Sequence, residues 1–150
     1  MTAPEPPEYL EFLAPYPLLV QEQHRAARQK LATLLPECVE VIWDATQTVV
    51  TGWGFGDKTK DSFLGIAAYP KHVTLIFMYG VRLDDPERRL RGEGNQVRNL
   101  RLAGLETLDD PYVQKLIQQS VATAPTPTGD PTPRILVKQM AGPKRRPNQS

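Results

Sequence analysis

The sequence predicts an α+β fold, an antiparallel sheet of about five strands with two main helices packed on one face. Two observations predict it. Apolar residues recur at helical spacing between residues 17 and 35 and again between 111 and 123, while from residue 39 to 78 the period shortens to two. The links between those period-two segments are also short, which is the mark of hairpins and not of parallel crossovers.

Along the chain, residues 1–7 are rich in proline and read as a flexible start, and Glu8 to Leu13 can form one helical turn before Pro15-Tyr16-Pro17. The first main helix is expected from Pro17 to Leu35. Proline suits its first turn, Pro36 ends it, and Val20, His24, Ala27 and Leu31 form its apolar stripe. Val39–Trp43, Thr48–Trp53, Phe63–Ala68 and Val73–Met78 are rich in β-branched and aromatic residues and read as strands. Val97 to Leu102 can add another. Asp110-Pro111 then combines an N-cap with proline at the first helical position, and Val113, Leu116, Ile117 and Val121 give the second main helix its apolar face. The domain is expected to span residues 8–123. Residues 124–150 read as a flexible, proline-rich basic tail, with one segment of strand character at residues 134–138.

Charge divides along the same boundary. The tail carries Arg134, Lys138, Lys144, Arg145 and Arg146 against Asp130, a net of +4, which leaves residues 1–123 at −3 within a chain total of +1. A mildly acidic domain is not expected to bind nucleic acid, apart from weak contact by the tail. No apolar run approaches the roughly 20 residues of a membrane span, and residues 1–8 have neither the basic nor the apolar region of a secretory signal. With Cys38 as the single cysteine, a cytoplasmic location is expected.

Alternation also separates the sheet faces. Val73, Leu75 and Phe77 share one side, and Thr74, Ile76 and Met78 share the other. Two helices cover only one face of such a sheet. A second, partly apolar face is therefore expected to be open to a partner, with Trp53, Ile76 and Met78 as the residues presented and a homodimer as one candidate.

The segment Tyr69-Pro70-Lys71-His72-Val73, the run Gly92-Glu93-Gly94-Asn95-Gln96-Val97-Arg98-Asn99-Leu100-Arg101-Leu102 and the Asp109-Asp110-Pro111 helix start together resemble the bacterial YdhG-like domains. These are a widespread family of unknown function. The resemblance covers about residues 8 to 122 and implies a small antiparallel sheet with helices on one side. One branch of the family is described as frataxin-like iron chaperones, so intracellular iron handling is one alternative function. That label rests on acidic surfaces, whereas the first helix here has Arg25, Arg28 and Lys30 against Glu22.

The residues themselves offer little catalytic chemistry. His24 and His72 belong to different elements, and Asp84-Asp85 and Asp109-Asp110 precede prolines, where turns and caps need carboxylates. Cys38 has no sequence signature of an activating base, and Gly92 and Gly94 precede a strand, unlike a dinucleotide loop. No cofactor, metal or catalytic set is expected. Arg82, Arg88, Arg89, Arg91, Arg98 and Arg101 cluster within one acidic domain. They predict either surface ion pairs with Asp84, Asp85, Glu87 and Glu93 or an anion site. In the second case Lys71, His72, Arg98 and Arg101 are the expected binding groups for an anionic small molecule. The leading expectation is a non-enzymatic binding or interaction module. An enzyme acting on a small anionic substrate is a further alternative, and it requires His72, Arg98 and Arg101 to converge.

Overall fold

The computed structural model describes residues 3–45 and 48–139. Three α-helices, α1 (Pro7–Leu13), α2 (Leu18–Leu34) and α3 (Pro111–Ala122), accompany six strands: β1 (Val39–Asp44), β2 (Val49–Gly54), β3 (Ser62–Ala68), β4 (Val73–Phe77), β5 (Arg98–Arg101) and β6 (Ile135–Gln139). The strands form one sheet in the order β5-β4-β3-β2-β1-β6. The α+β class agrees with the sequence, and two details of the expected architecture are corrected. Among the described residues the sheet has six strands and is mixed, because β6 pairs with β1 in parallel while every other pair is antiparallel. The helices described number three, since the turn expected at residues 8–13 is a helix whose Tyr9, Phe12 and Leu13 enter the core.

Each helix boundary has a local cause. Pro17 precedes α2 and Pro6 precedes α1, both extended, as proline requires just outside a helix. At α3 the Asp110 side chain accepts from the Tyr112 N–H and Pro111 takes the position where a missing N–H costs nothing.

The pairing registers assign every strand residue to a face. Ile42, Thr51, Ile66, Leu75 and Leu100 lie in one cross-strand row, and Glu40, Trp53, Leu64, Phe77 and Arg98 lie in the next. Most of these residues belong to the cluster that also contains Val20, Ala27 and Leu31 of α2 and Val113, Leu116 and Ile117 of α3, so this is the helix-covered face. Burying such side chains contributes roughly 1.5–3 kcal/mol each.

The covered face also holds charge. The Arg28 guanidinium, with no exposed surface, donates from Nε and Nη2 to the Glu40 carboxylate at 2.6 and 3.0 Å, and the Thr51 hydroxyl donates to the same carboxylate at 2.6 Å. Arg28 lies 5.1 Å from the centre of the Tyr9 ring, and the Tyr9 hydroxyl lies 2.6 Å from His24 Nδ1. Burial lowers the His24 pKa to about 3, so the ring is neutral.

After residue 123 the chain returns along the domain, and the segment expected to have strand character at 134–138 forms β6 on the edge of β1. Two carboxylates of the β2–β3 loop hold it. Asp61 accepts from the Thr128 N–H and hydroxyl at 2.9 and 3.0 Å, from Gly129 N–H at 3.1 Å and from Lys58 N–H at 3.1 Å. Asp57 pairs with Arg134 at 2.9 Å. Burial alone would raise the Asp61 pKa, but the donors from Thr128, Lys58 and Gly129 outweigh it and hold the carboxyl below its usual range. Replacing Asp61 with alanine strands those donors, at a cost of about 1–3 kcal/mol. Amide exchange in Ile135–Lys138 should accelerate while that of Leu64–Ala67 in the central β3 is unchanged. Uniform acceleration across the sheet would show that Asp61 is not a local clasp. The basic run Lys144-Arg145-Arg146 lies outside the described residues.

Candidate ligand face of the sheet

The face opposite the helices is composed of two cross-strand rows. One runs Lys138, Trp43, Val50, Ala67, Thr74, Arg101 from β6 to β5, and the other runs Leu136, Val41, Gly52, Gly65, Ile76, Asn99. Arg91 extends the second row by bridging to Asn99. The middle of this face is small: Gly52 and Gly65 face each other, with Val50 and Ala67 beside them. Larger side chains fold inward from both sides. A Cβ on Gly52 would come within 3.1 Å of Trp43 Cζ3, and one on Gly65 within 3.0 Å of Met78 Cε. Trp43, Ile76 and Met78 remain half-buried.

At the end of the sheet where β3 turns into β4, Ala68 and Val73 face the core, so the flanking pair Tyr69 and His72 faces the open side. The Tyr69 N–H bonds the His72 carbonyl at 2.9 Å, and the two rings stack with centroids 5.0 Å apart. Tyr69, His72, Thr74, Ile76, Val97 and Asn99 line a cleft of about 270 Å³. Partial burial and the neighbouring Arg101 hold the His72 pKa below its usual value, so the ring is neutral at pH 7.

The sequence-predicted residues divide between the two faces. Lys71, His72 and Arg101 do gather at this end, since Lys71 is the exposed residue of the turn and Arg101 pairs with Thr74. Arg98 does not join them. It pairs with Phe77 on the other face, and its Nη1 donates to the carbonyls of Gly94 and Val97 at 2.7 and 2.8 Å. Strand alternation makes this unavoidable, because residues three apart point to opposite sides. The convergence of His72, Arg98 and Arg101 required for an enzyme site is therefore absent. Trp53 is a second correction: it pairs with Glu40 and Leu64 on the helix-covered face and is 1% exposed. Ile76 and Met78 do face outward, and the indole on the open face is Trp43.

The remaining candidates have structural partners. Cys38 is buried, which pushes its thiol pKa up to about 12. Asp85 accepts from the Arg89 and Leu90 N–H groups and from the Tyr112 hydroxyl, and Asp110 caps α3 while pairing with Arg89 at 2.9 Å. Arg82 donates to the Thr123 carbonyl. Among the described residues no set of three His, Cys, Asp or Glu side chains could hold a metal ion, and no helix is long and apolar enough to cross a membrane.

Sequence reasoning missed Trp43 and Tyr69, whereas Arg91 belonged to the arginine cluster and Asn99 to the Arg101 side of its strand. For Tyr69 the signal was present, because it flanks a two-residue turn opposite His72. For Trp43 it was obscured, because Val39-Glu40-Val41-Ile42-Trp43 places apolar residues on both faces and the one charged residue, Glu40, faces the core.

No family model, curated protein or solved structure matches the chain. The likeness to YdhG-like domains rests on the quoted residues alone.

Proposed function

We propose that the protein is a non-enzymatic binding module that takes an anion-bearing ligand on the open face of its sheet, at the Tyr69–His72–Asn99 cleft. One observation carries this reading. Among the described residues Arg25, Arg28, Lys30, Arg89 and Arg134 are all in ion pairs, whereas Lys71, Arg91 and Arg101 have none. The strand positions of the open face carry no Asp or Glu. The cations beside the cleft are thus free to meet an external anion, and the aromatic pair and Ile76 offer it an apolar floor.

A second copy of the chain fits this face less well, since a two-fold axis along the Lys138–Arg101 row would set each cation against its own image and one across the row would set Arg101 against Lys138. An iron-chaperone role finds no ligand set among the described residues.

Isothermal titration with phosphate, benzoate and AMP tests the reading, with uncharged adenosine as the control. Binding of the anions should be lost in Arg101→Glu. Benzoate, whose own charge is constant in this range, should bind more tightly as the pH falls below the usual histidine range, because His72 then gains a proton and adds a cation beside Arg101 and Lys71. No heat with any anion, or equal binding by Arg101→Glu, would overturn the proposal.

A further inference from the structure

The face opposite the helices is wider than one small anion can use; its middle, Val41, Val50, Gly52, Gly65, Ala67 and Thr74, is buried, and its cations stand at the two ends. Lys138 and Arg101 stand at the two ends of a single row that crosses all six strands. Five strand spacings separate them, roughly 24 Å. Trp43 and Tyr69 lie two strands apart, roughly 10 Å, so a single planar ring cannot reach both. Because β6 runs parallel to β1, it finishes at the end of the sheet where β1 reaches Asp44, which is also the end of the Tyr69–His72 turn and of Arg101. Asp57, on the β2–β3 loop at the opposite end of the strands, is paired with Arg134, and its carbonyl accepts from Lys138. The −3 charge of residues 1–123 therefore conceals a segregation: the open face presents cations while carboxylates are placed elsewhere.

We infer that the open face is a platform for single-stranded nucleic acid. The inference rests on the anion-binding reading above and names its ligand class. A polyanion with a charge at every repeat can meet a cation at each end of the cross-sheet row, with Lys71 and Arg91 near the Arg101 end, and unpaired bases supply flat faces for Trp43 and for the Tyr69–His72 stack. The half-buried Asn99 offers a donor and an acceptor to base edges between them. A duplex hides its base faces and cannot use the aromatic stations. An acidic peptide can meet the cations but gains nothing from the rings.

Fluorescence anisotropy of labelled oligothymidylates of 2 to 12 nucleotides, titrated with the full chain, tests this. Affinity should rise with length until the row is spanned. The slope of log K against log salt should be about −3 if Lys71, Arg91, Arg101 and Lys138 each contact one phosphate. Trp43→Leu should weaken binding by about tenfold or more through lost stacking. Arg101→Glu, which touches no core contact, should weaken it further, and Lys115→Glu on α3 should not. Four results would each overturn the platform: no oligonucleotide binding, equal binding of duplex, equal displacement by polyglutamate, or affinity insensitive to Trp43 and Arg101 but lost when Lys144, Arg145 and Arg146 become glutamine. If phosphate and AMP bind in an Arg101-dependent way while length adds nothing, the anion site stands and the nucleic-acid inference fails. If neither binds, both fail.

Discussion

Glu40→Gln is expected to destabilise the fold by about 3–5 kcal/mol, the range found when one member of a buried ion pair is removed. The substitution keeps shape and volume, so the loss reports the charge together with the one acceptor oxygen that becomes an NH2 donor. In the native protein both Glu40 oxygens are taken, Oε2 by Arg28 Nε and the Thr51 hydroxyl and Oε1 by Arg28 Nη2. A neutral amide leaves the Arg28 guanidinium uncompensated at a site without exposed surface, and arginine cannot escape by losing its proton. The pair as a whole is worth less than its rupture costs, because desolvating two ions offsets most of their attraction. Arg28→Met combined with Glu40→Leu should therefore recover most of the loss. Urea unfolding of the three variants checks this, and a single-variant cost under about 1 kcal/mol would show that the pair is not the buried constraint described here.

The second large effect is acid sensitivity centred on His24. Its folded pKa of about 3 lies below the roughly 6.5 of an unfolded histidine. The cause is burial, reinforced by the positive charge of Arg28. Between those values the unfolded chain binds a proton that the native state refuses. The contribution to stability is thus complete above pH 6.5 and falls by about 1.4 kcal/mol for each pH unit below it. Between pH 6.5 and 4.5 the loss should be about 2–3 kcal/mol. His24→Gln can still bond the Tyr9 hydroxyl and should flatten this part of the profile. Asp61 and Asp85, whose hydrogen bonds hold them below the usual carboxylate range, add their losses only at lower pH. An unchanged profile in His24→Gln would place the acid sensitivity elsewhere.

How far the sequence disclosed this molecule depended on whether a residue's role was local. Helix starts at Pro17 and Asp110-Pro111, the period-two strands and the outward placement of Ile76 and Met78 follow from neighbours within a few positions. Trp53 was misplaced because only the tertiary packing decides which face of β2 the helices cover; it pairs in regular register with Glu40 and Leu64 on that side. Arg98 was misplaced against a local rule, since alternation at an odd separation puts it opposite Arg101. Glu40 could not be paired with Arg28 from the sequence, because nothing in the Val39–Asp44 run shows that its one early charge points inward. For the ligand face, Lys71, His72 and Arg101 were legible as charges in turns and strand ends. The row that links Arg101 to Lys138 appears only when the strand order is known, since it joins residues from opposite ends of the chain.

The pairing of β6 with β1 has a consequence for biosynthesis. Hairpins β1–β2, β2–β3 and β3–β4 close short loops and can form as soon as they are made, whereas Glu40 must wait for Ile135. While the chain is being synthesised, the first strand carries an unpaired edge and an uncovered Trp43–Val41 surface until residue 139 has been added. A nascent chain paused before that point offers a strand-addition template to its neighbours. Asp61 and Asp57, already in place on the β2–β3 loop, would then act as a receiving dock that shortens the exposure.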